Sequence, residues 1–248
     1  MSPPNALAVA WPLWVAQDKD KTLMNSEIRP DIAANLVATW QKIDASCASI
    51  GRARPVLVAV SKRQPDDRID AALAAGHRVF GENRVQEAAQ RWSNRRDTVP
   101  DLRLHLIGPL QTNKVAEAVA LFDVIEIVDR PKLARALARE MATQDRQLPC
   151  YIQVNTGEEA QKSGIMPMQV DDFITFCRDE CGLMIEGLMC IPPQDEEPAM
   201  HFALLRTIAA RNGVSGLSMG MSGDFEEAVA HGATSVRVGS AIFGARDV

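Results

Sequence analysis

The chain has 248 residues, 46% of them apolar and 24% charged, with a net charge of −5 at pH 7. This is the composition of an ordinary soluble globular domain, long enough for a single barrel, and it supplies no basic field for a nucleic-acid backbone. The cysteines Cys47, Cys150, Cys177, Cys181 and Cys190 are odd in number and lack framework spacing, which points to a reducing, cytoplasmic compartment rather than a disulfide scaffold.

The first apolar stretch, residues 6–16, has no basic residue before it and is interrupted by Pro12, so it reads as neither a signal peptide nor a membrane anchor. Residues 1–26 are expected to be a poorly ordered extension, with Met24 a plausible start of the folded protein, and residues 27–248 to form one domain. From Pro30 to Ser49, Ile32, Leu36, Val37, Trp40 and Ile43 recur at helical spacing and predict an amphipathic opening helix.

Eight short apolar runs follow, at 55–61, 78–82, 103–108, 124–129, 150–156, 185–192, 216–221 and 235–243, each succeeded by a helix-like segment. Asp66 or Asp67 and Asn113 read as helix caps, Pro131 as a first-turn residue, and Gly76 and Gly232 as stops. Strands without polar alternation are buried on both faces, as in parallel sheets. The expected fold class is therefore α/β: a single (β/α)₈ TIM-type barrel with an extra N-terminal helix, an open doubly wound sheet being the other arrangement of such units.

In a barrel, chemistry gathers where strands hand over to the following loops. Lys62 stands at the first such junction, in VLVAVSKRQP. A partly desolvated amine there can attack a carbonyl and hold it as a Schiff base. Position alone favours a lysine that snorkels to solvent. Cys177 and Cys181 share a helix spacing, but no second ligand pair follows, and buried free thiols are the simpler reading than zinc. No metal is expected.

Toward the C-terminus, Ser218, Ser222, Gly223 and Asp224 are expected between the seventh strand, which would then take only the start of its run, and its helix, and Gly239 and Ser240 lie inside or just after the eighth. Small and hydroxyl-bearing residues in these two loops can offer backbone N–H groups to a phosphate. Arg237, between Val236 and Val238, points to the opposite face from its apolar neighbours. Facing the barrel interior it needs an acceptor; facing outward it is a surface ion-pair partner. An aldehyde-binding lysine, a phosphate cradle and an inward arginine together suggest pyridoxal 5′-phosphate (PLP), with Arg237 meeting the ring nitrogen.

The motifs AVSK (59–62), FGENRVQE (80–87), HLIGPLQTNK (105–114), KSG (162–164), GLMCIPP (187–193), LSMGMSGDFEEAVAHGAT (217–234) and VRVGSAIFGAR (236–246) closely resemble the pyridoxal phosphate homeostasis proteins, single barrels similar to the N-terminal domain of alanine racemase. The resemblance implies that Lys62 binds the cofactor aldehyde, that Asn83 lines the ring, that Arg237 faces its nitrogen, and that Ser222, Gly239 and Ser240 hold the phosphate. It implies a PLP carrier that binds, stores and delivers the cofactor, with no established catalytic residue. Ser240 stands where many relatives have threonine, which preserves the hydroxyl.

A racemase of the alanine racemase type is the competing expectation. That chemistry needs a second base, a tyrosine from a separate domain, and the one tyrosine here, Tyr151, opens the fifth run, where packing is its simpler task. A cofactor-free Schiff-base aldolase is a third reading. Lys114 and Lys162 are loop residues read as solvated charges, with Lys162 a candidate secondary cofactor contact. The expected partners are PLP and recipient apo-enzymes, with no membrane or nucleic acid, and the barrel is expected to be a monomer.

Overall fold

The computed structural model describes residues 30–245; the extension expected over 1–26, including Met24, lies outside the described residues. The apolar runs become eight parallel strands, β1 (Val56–Val60), β2 (Val79–Glu82), β3 (Arg103–Leu106), β4 (Val124–Val128), β5 (Cys150–Val154), β6 (Ile185–Cys190), β7 (Gly216–Ser218) and β8 (Ser235–Val238). They hydrogen-bond in sequence order and close, β8 pairing with β1. The barrel reading holds and the open sheet is excluded.

An opening helix, α1 (Ile32–Ile50), precedes β1, and the crossovers carry α2 (Asp66–Ala74), α3 (Val85–Thr98), α4 (Val115–Leu121), α5 (Pro131–Thr143), α6 (Val170–Thr175), α7 (Pro198–Arg211) and α8 (Phe225–Ala230), with a short α9 (Ser240–Phe243) after β8. α6 runs into a π-helical turn at Phe176–Glu180. β1 alternates between the helices and the lumen: Leu57 and Ala59 join the continuous apolar core under the helices, while Val58 faces inward, level with Arg237 on β8. Among the described residues no helix is long and apolar enough to cross a membrane.

Gly76 and Gly232 end their helices with φ of +86° and +99°, and Pro131 opens α5. The cap assignments differ from expectation. Pro65 occupies the cap position of α2 with Asp66 and Asp67 in its first turn, and a 3₁₀ turn at Thr112–Lys114 leaves Lys114 at the cap of α4 in place of Asn113. The last two runs also overshoot. β7 stops at Ser218, and β8 stops at Val238 because the apolar residues Ile242 and Phe243 are buried on a helical turn, where Asn35 of α1 donates to the Ile242 carbonyl at 2.8 Å.

Candidate functional site

β1 ends in a tight turn, Ser61 to Gln64, that carries Lys62 at its apex side and puts Arg63 in the left-handed region with φ of +57°. A buckle from α3 closes this turn. Arg91 donates through Nη1 to the Ser61 carbonyl at 3.1 Å and through Nη2 to the Gln64 carbonyl at 3.0 Å, gripping the backbone on both sides of Lys62. Arg91 also pairs at 2.9 Å with Glu82, a carboxylate with no exposed surface that accepts from the Ser61 hydroxyl at 2.7 Å and the Trp92 indole at 3.0 Å. The local sequence thus places the lysine, and a buried ion pair from the next crossover holds it.

Lys62 is half-buried and lines a cavity of about 250 Å³ with Arg63, Asn83, Arg84 and Glu87. Asn83 follows β2, and its Oδ1 is buried without a hydrogen-bond partner, an orphaned acceptor of the kind a bound donor satisfies. Gly108 makes room for Asn83: a Cβ there would come within 2.5 Å of the Asn83 carbonyl oxygen. On its other side Lys62 shares a smaller cavity with Val60, Gln64, Gly239, Ser240 and Gly244.

That smaller cavity adjoins the two C-terminal loops. The Ser222 hydroxyl accepts from the backbone N–H of Gly239 at 3.1 Å and of Ala241 at 3.3 Å, so the loops after β7 and β8 are joined where their amides converge. Ala241 is a contributor that the residue types did not mark, since only its backbone takes part. Ser218 is a correction. Expected in the phosphate loop, it is the last residue of β7, fully buried, and its hydroxyl is engaged inside the lumen by Arg237 and Glu126. Asp224 accepts from the Met221 N–H at 2.5 Å and shapes its own turn.

Arg237 faces inward and is 3% exposed. Its Nη1 donates to the Ser218 hydroxyl at 2.6 Å and its Nη2 to the Cys190 carbonyl at 2.8 Å. Ser218 in turn donates at 2.5 Å to Glu126 on β4, whose other oxygen meets His105 Nδ1 of β3 at 2.6 Å. Glu126 and His105 were missed in the sequence, although each is a lone polar residue within an apolar run. Burial pushes the Glu126 carboxyl up, but the hydrogen bond and charge of His105, with Arg237 and Ser218 behind them, outweigh it and hold the group below its ordinary value.

The ionised carboxylate therefore stabilises the fold fully above its ordinary value of 4.5, and this contribution is lost as pH falls through the depressed folded value. Removing His105 takes away the leading favourable influence. His105→Phe is expected to shift acid unfolding to higher pH, read from circular dichroism across an acid titration, and an unchanged midpoint would contradict this account of Glu126.

The remaining candidates lie elsewhere. Lys162 pairs with Glu159 and Lys114 with Glu117, as solvated loop charges do. Tyr151 sits at the N-terminal end of the barrel, where Gly216 makes room for its ring, at the opposite mouth from Lys62. All five cysteines are free, and among the described residues no group of histidine, cysteine and carboxylate side chains could hold a metal ion.

The chain is a closed parallel barrel with a lysine at the end of its first strand and an arginine inside its eighth, and residues 34–247 match the family model of the alanine racemase N-terminal domain. An alanine racemase from Bartonella henselae shares the fold with a TM-score of 0.67 at 15% identity, over 87% of this chain and 59% of that one. Far nearer in sequence is the pyridoxal phosphate homeostasis protein of Escherichia coli K12, 37% identical over 228 residues, covering 88% of this chain and 97% of that protein. The Pseudomonas aeruginosa protein of the same name is 39% identical over 223 residues, 87% of this chain and 96% of its own. PipY of Synechococcus elongatus, solved with PLP bound, superposes with a TM-score of 0.76 at 36% identity over 86% of this chain and all of that one. The chain belongs to the pyridoxal phosphate homeostasis protein family.

Proposed function

We propose that this protein binds PLP as a carrier that stores and delivers it within the cytoplasm, with recipient apo-enzymes as its partners. The observation that carries the reading is the convergence on Lys62 of two cavities, one lined by Asn83 and one by Gly239 and Ser240 beside the amides gathered at Ser222. The residues fit the group: an amine for an aldehyde, a buried orphan acceptor beside it, converging N–H groups for a phosphate, and a permanently charged guanidinium for a ring nitrogen. When bound, PLP supplies an aldehyde and a ring that can draw electrons from an attached amine. Lys62 would hold the aldehyde, Ser222, Gly239, Ala241 and Ser240 would hold the phosphate, with the Gly239 and Ala241 amides passing to it from the Ser222 hydroxyl, and Asn83 would border the ring.

Arg237 would make the bound ring a weaker electron sink. A guanidinium does not release its proton, so the ring nitrogen facing it stays largely unprotonated and carbanion chemistry is disfavoured. Tyr151 adds to this: the sole tyrosine lies at the far mouth of the barrel and cannot serve as a second base beside Lys62.

The test is to incubate the protein with PLP, record the visible spectrum, trap with borohydride and map the modified peptide. A visible band whose reduction marks Lys62 is the expected result, and the absence of any band would remove the reading. Modification of Lys162 in addition would establish a second attachment point. Incubation of the loaded protein with L-alanine or L-serine should give no racemisation above a free-PLP control.

A further inference from the structure

We propose that Glu126 is a positioning residue for the cofactor site: acting through Ser218, it fixes the guanidinium of Arg237 at the ring nitrogen. The inference rests on the PLP reading above and extends it to residues that touch no cofactor. β4 and β7 are not neighbours in the barrel, so the bond between Ser218 and Glu126 crosses the lumen. Arg237 is tied to the β7 side chain and the β6 backbone, β7 is tied to β4, and β4 to β3 through His105. Four walls of the barrel thus converge on one guanidinium.

The direction of this relay is set by chemistry. An ionised carboxylate only accepts hydrogen bonds, so Ser218 must spend its one hydrogen on Glu126 and turn a lone pair to Arg237. Arg237 Nη1 and Nη2 are each held by one such contact, which fixes the guanidinium plane and leaves further N–H groups for a ligand. His105 must carry its hydrogen on Nδ1, and by holding the second oxygen it stops the carboxylate from rotating. A lumen that needed only to be filled would be served as well or better by apolar side chains, because burying an arginine and a glutamate carries a large desolvation cost.

Glu126→Gln separates positioning from packing. The amide has the same shape but one acceptor oxygen and one donor nitrogen, so it cannot accept from both Ser218 and His105. Either Ser218 turns its hydrogen toward the cation, or His105 must present a bare Nδ1. Ser218→Ala cuts the relay while leaving the contact between Glu126 and His105, and Ser218→Thr retains the hydroxyl.

The experiment titrates PLP into wild type and these three variants, reading dissociation constant and visible band position, with far-ultraviolet circular dichroism to score folding. Glu126→Gln and Ser218→Ala are expected to weaken PLP binding about tenfold, equivalent to ~1.4 kcal/mol, and to displace the band, while Ser218→Thr keeps wild-type values. If folded Ser218→Ala and Glu126→Gln, or folded Ser218→Ala alone where Glu126→Gln fails to fold, match wild type in affinity and band position, the relay has no role at the site and the inference fails. A wild type that takes up no PLP overturns the functional reading and this inference with it, an outcome distinct from wild-type loading with unaffected variants.

Discussion

Lys62→Ala is expected to eliminate the visible band that PLP produces on the wild-type protein, and with it any borohydride-fixed adduct on the 56–65 segment. The structure makes the expectation specific, because Lys62, alone among the described residues, lines both the cavity beside Asn83 and the one beside Gly239 and Ser240. On the proposed reading, PLP without the amine would keep only the phosphate, ring and ring-nitrogen contacts. Loss of at least about 100-fold in affinity, ~2.7 kcal/mol, is the expected scale for removing a covalent tether. Lys62→Arg should fail in the same way, since a guanidinium keeps the charge but offers no nucleophilic amine. Lys62 is half-buried and outside the apolar core, so melting temperature should hardly move in either variant. Persistence of the band in Lys62→Ala, with the adduct relocated to Lys162, would reassign the tether.

Arg91→Ala is expected to be the most damaging single change to stability at the site. It strands Glu82, which has no exposed surface, and releases the Ser61 and Gln64 carbonyls that bracket Lys62. Removing one partner of a buried pair leaves an uncompensated charge and costs about 3 kcal/mol or more. For a domain of this size that is roughly 6–12 °C in melting temperature. PLP affinity should fall as well, because the turn that aims Lys62 loses its clamp. Adding Glu82→Gln should recover part of the lost stability, since the stranded charge disappears. A melting temperature unchanged in Arg91→Ala would show that Ser61 and Trp92 satisfy Glu82 unaided.

Much of the site could be read along the chain because its parts are local. Lys62 was visible as the residue that stops an apolar run, Gly239 and Ser240 as small residues following another, and Arg237 as a charge alternating with valines. The strand ends were harder to place. Nothing in GLSMGM distinguishes the last strand residue from the first loop residue, and that one-step ambiguity put Ser218 in the wrong place. Nor does SAIF announce a helical turn, because burial against α1 demands apolar residues whether the backbone is extended or helical.

The eight-unit rhythm, the barrel class and candidate residues at the strand ends are legible in the residues alone, because parallel strands buried on both faces leave continuous apolar runs and their ends fall at fixed places in each unit. What holds those candidate residues in position follows from the closed barrel. Arg91 reaches back from a crossover helix to grip the Lys62 turn, and Glu126 meets Ser218 across a separation of 92 residues. The physical reason is that a buried charge is tolerable only beside its partner, and the partner is chosen by barrel closure, which no local pattern records.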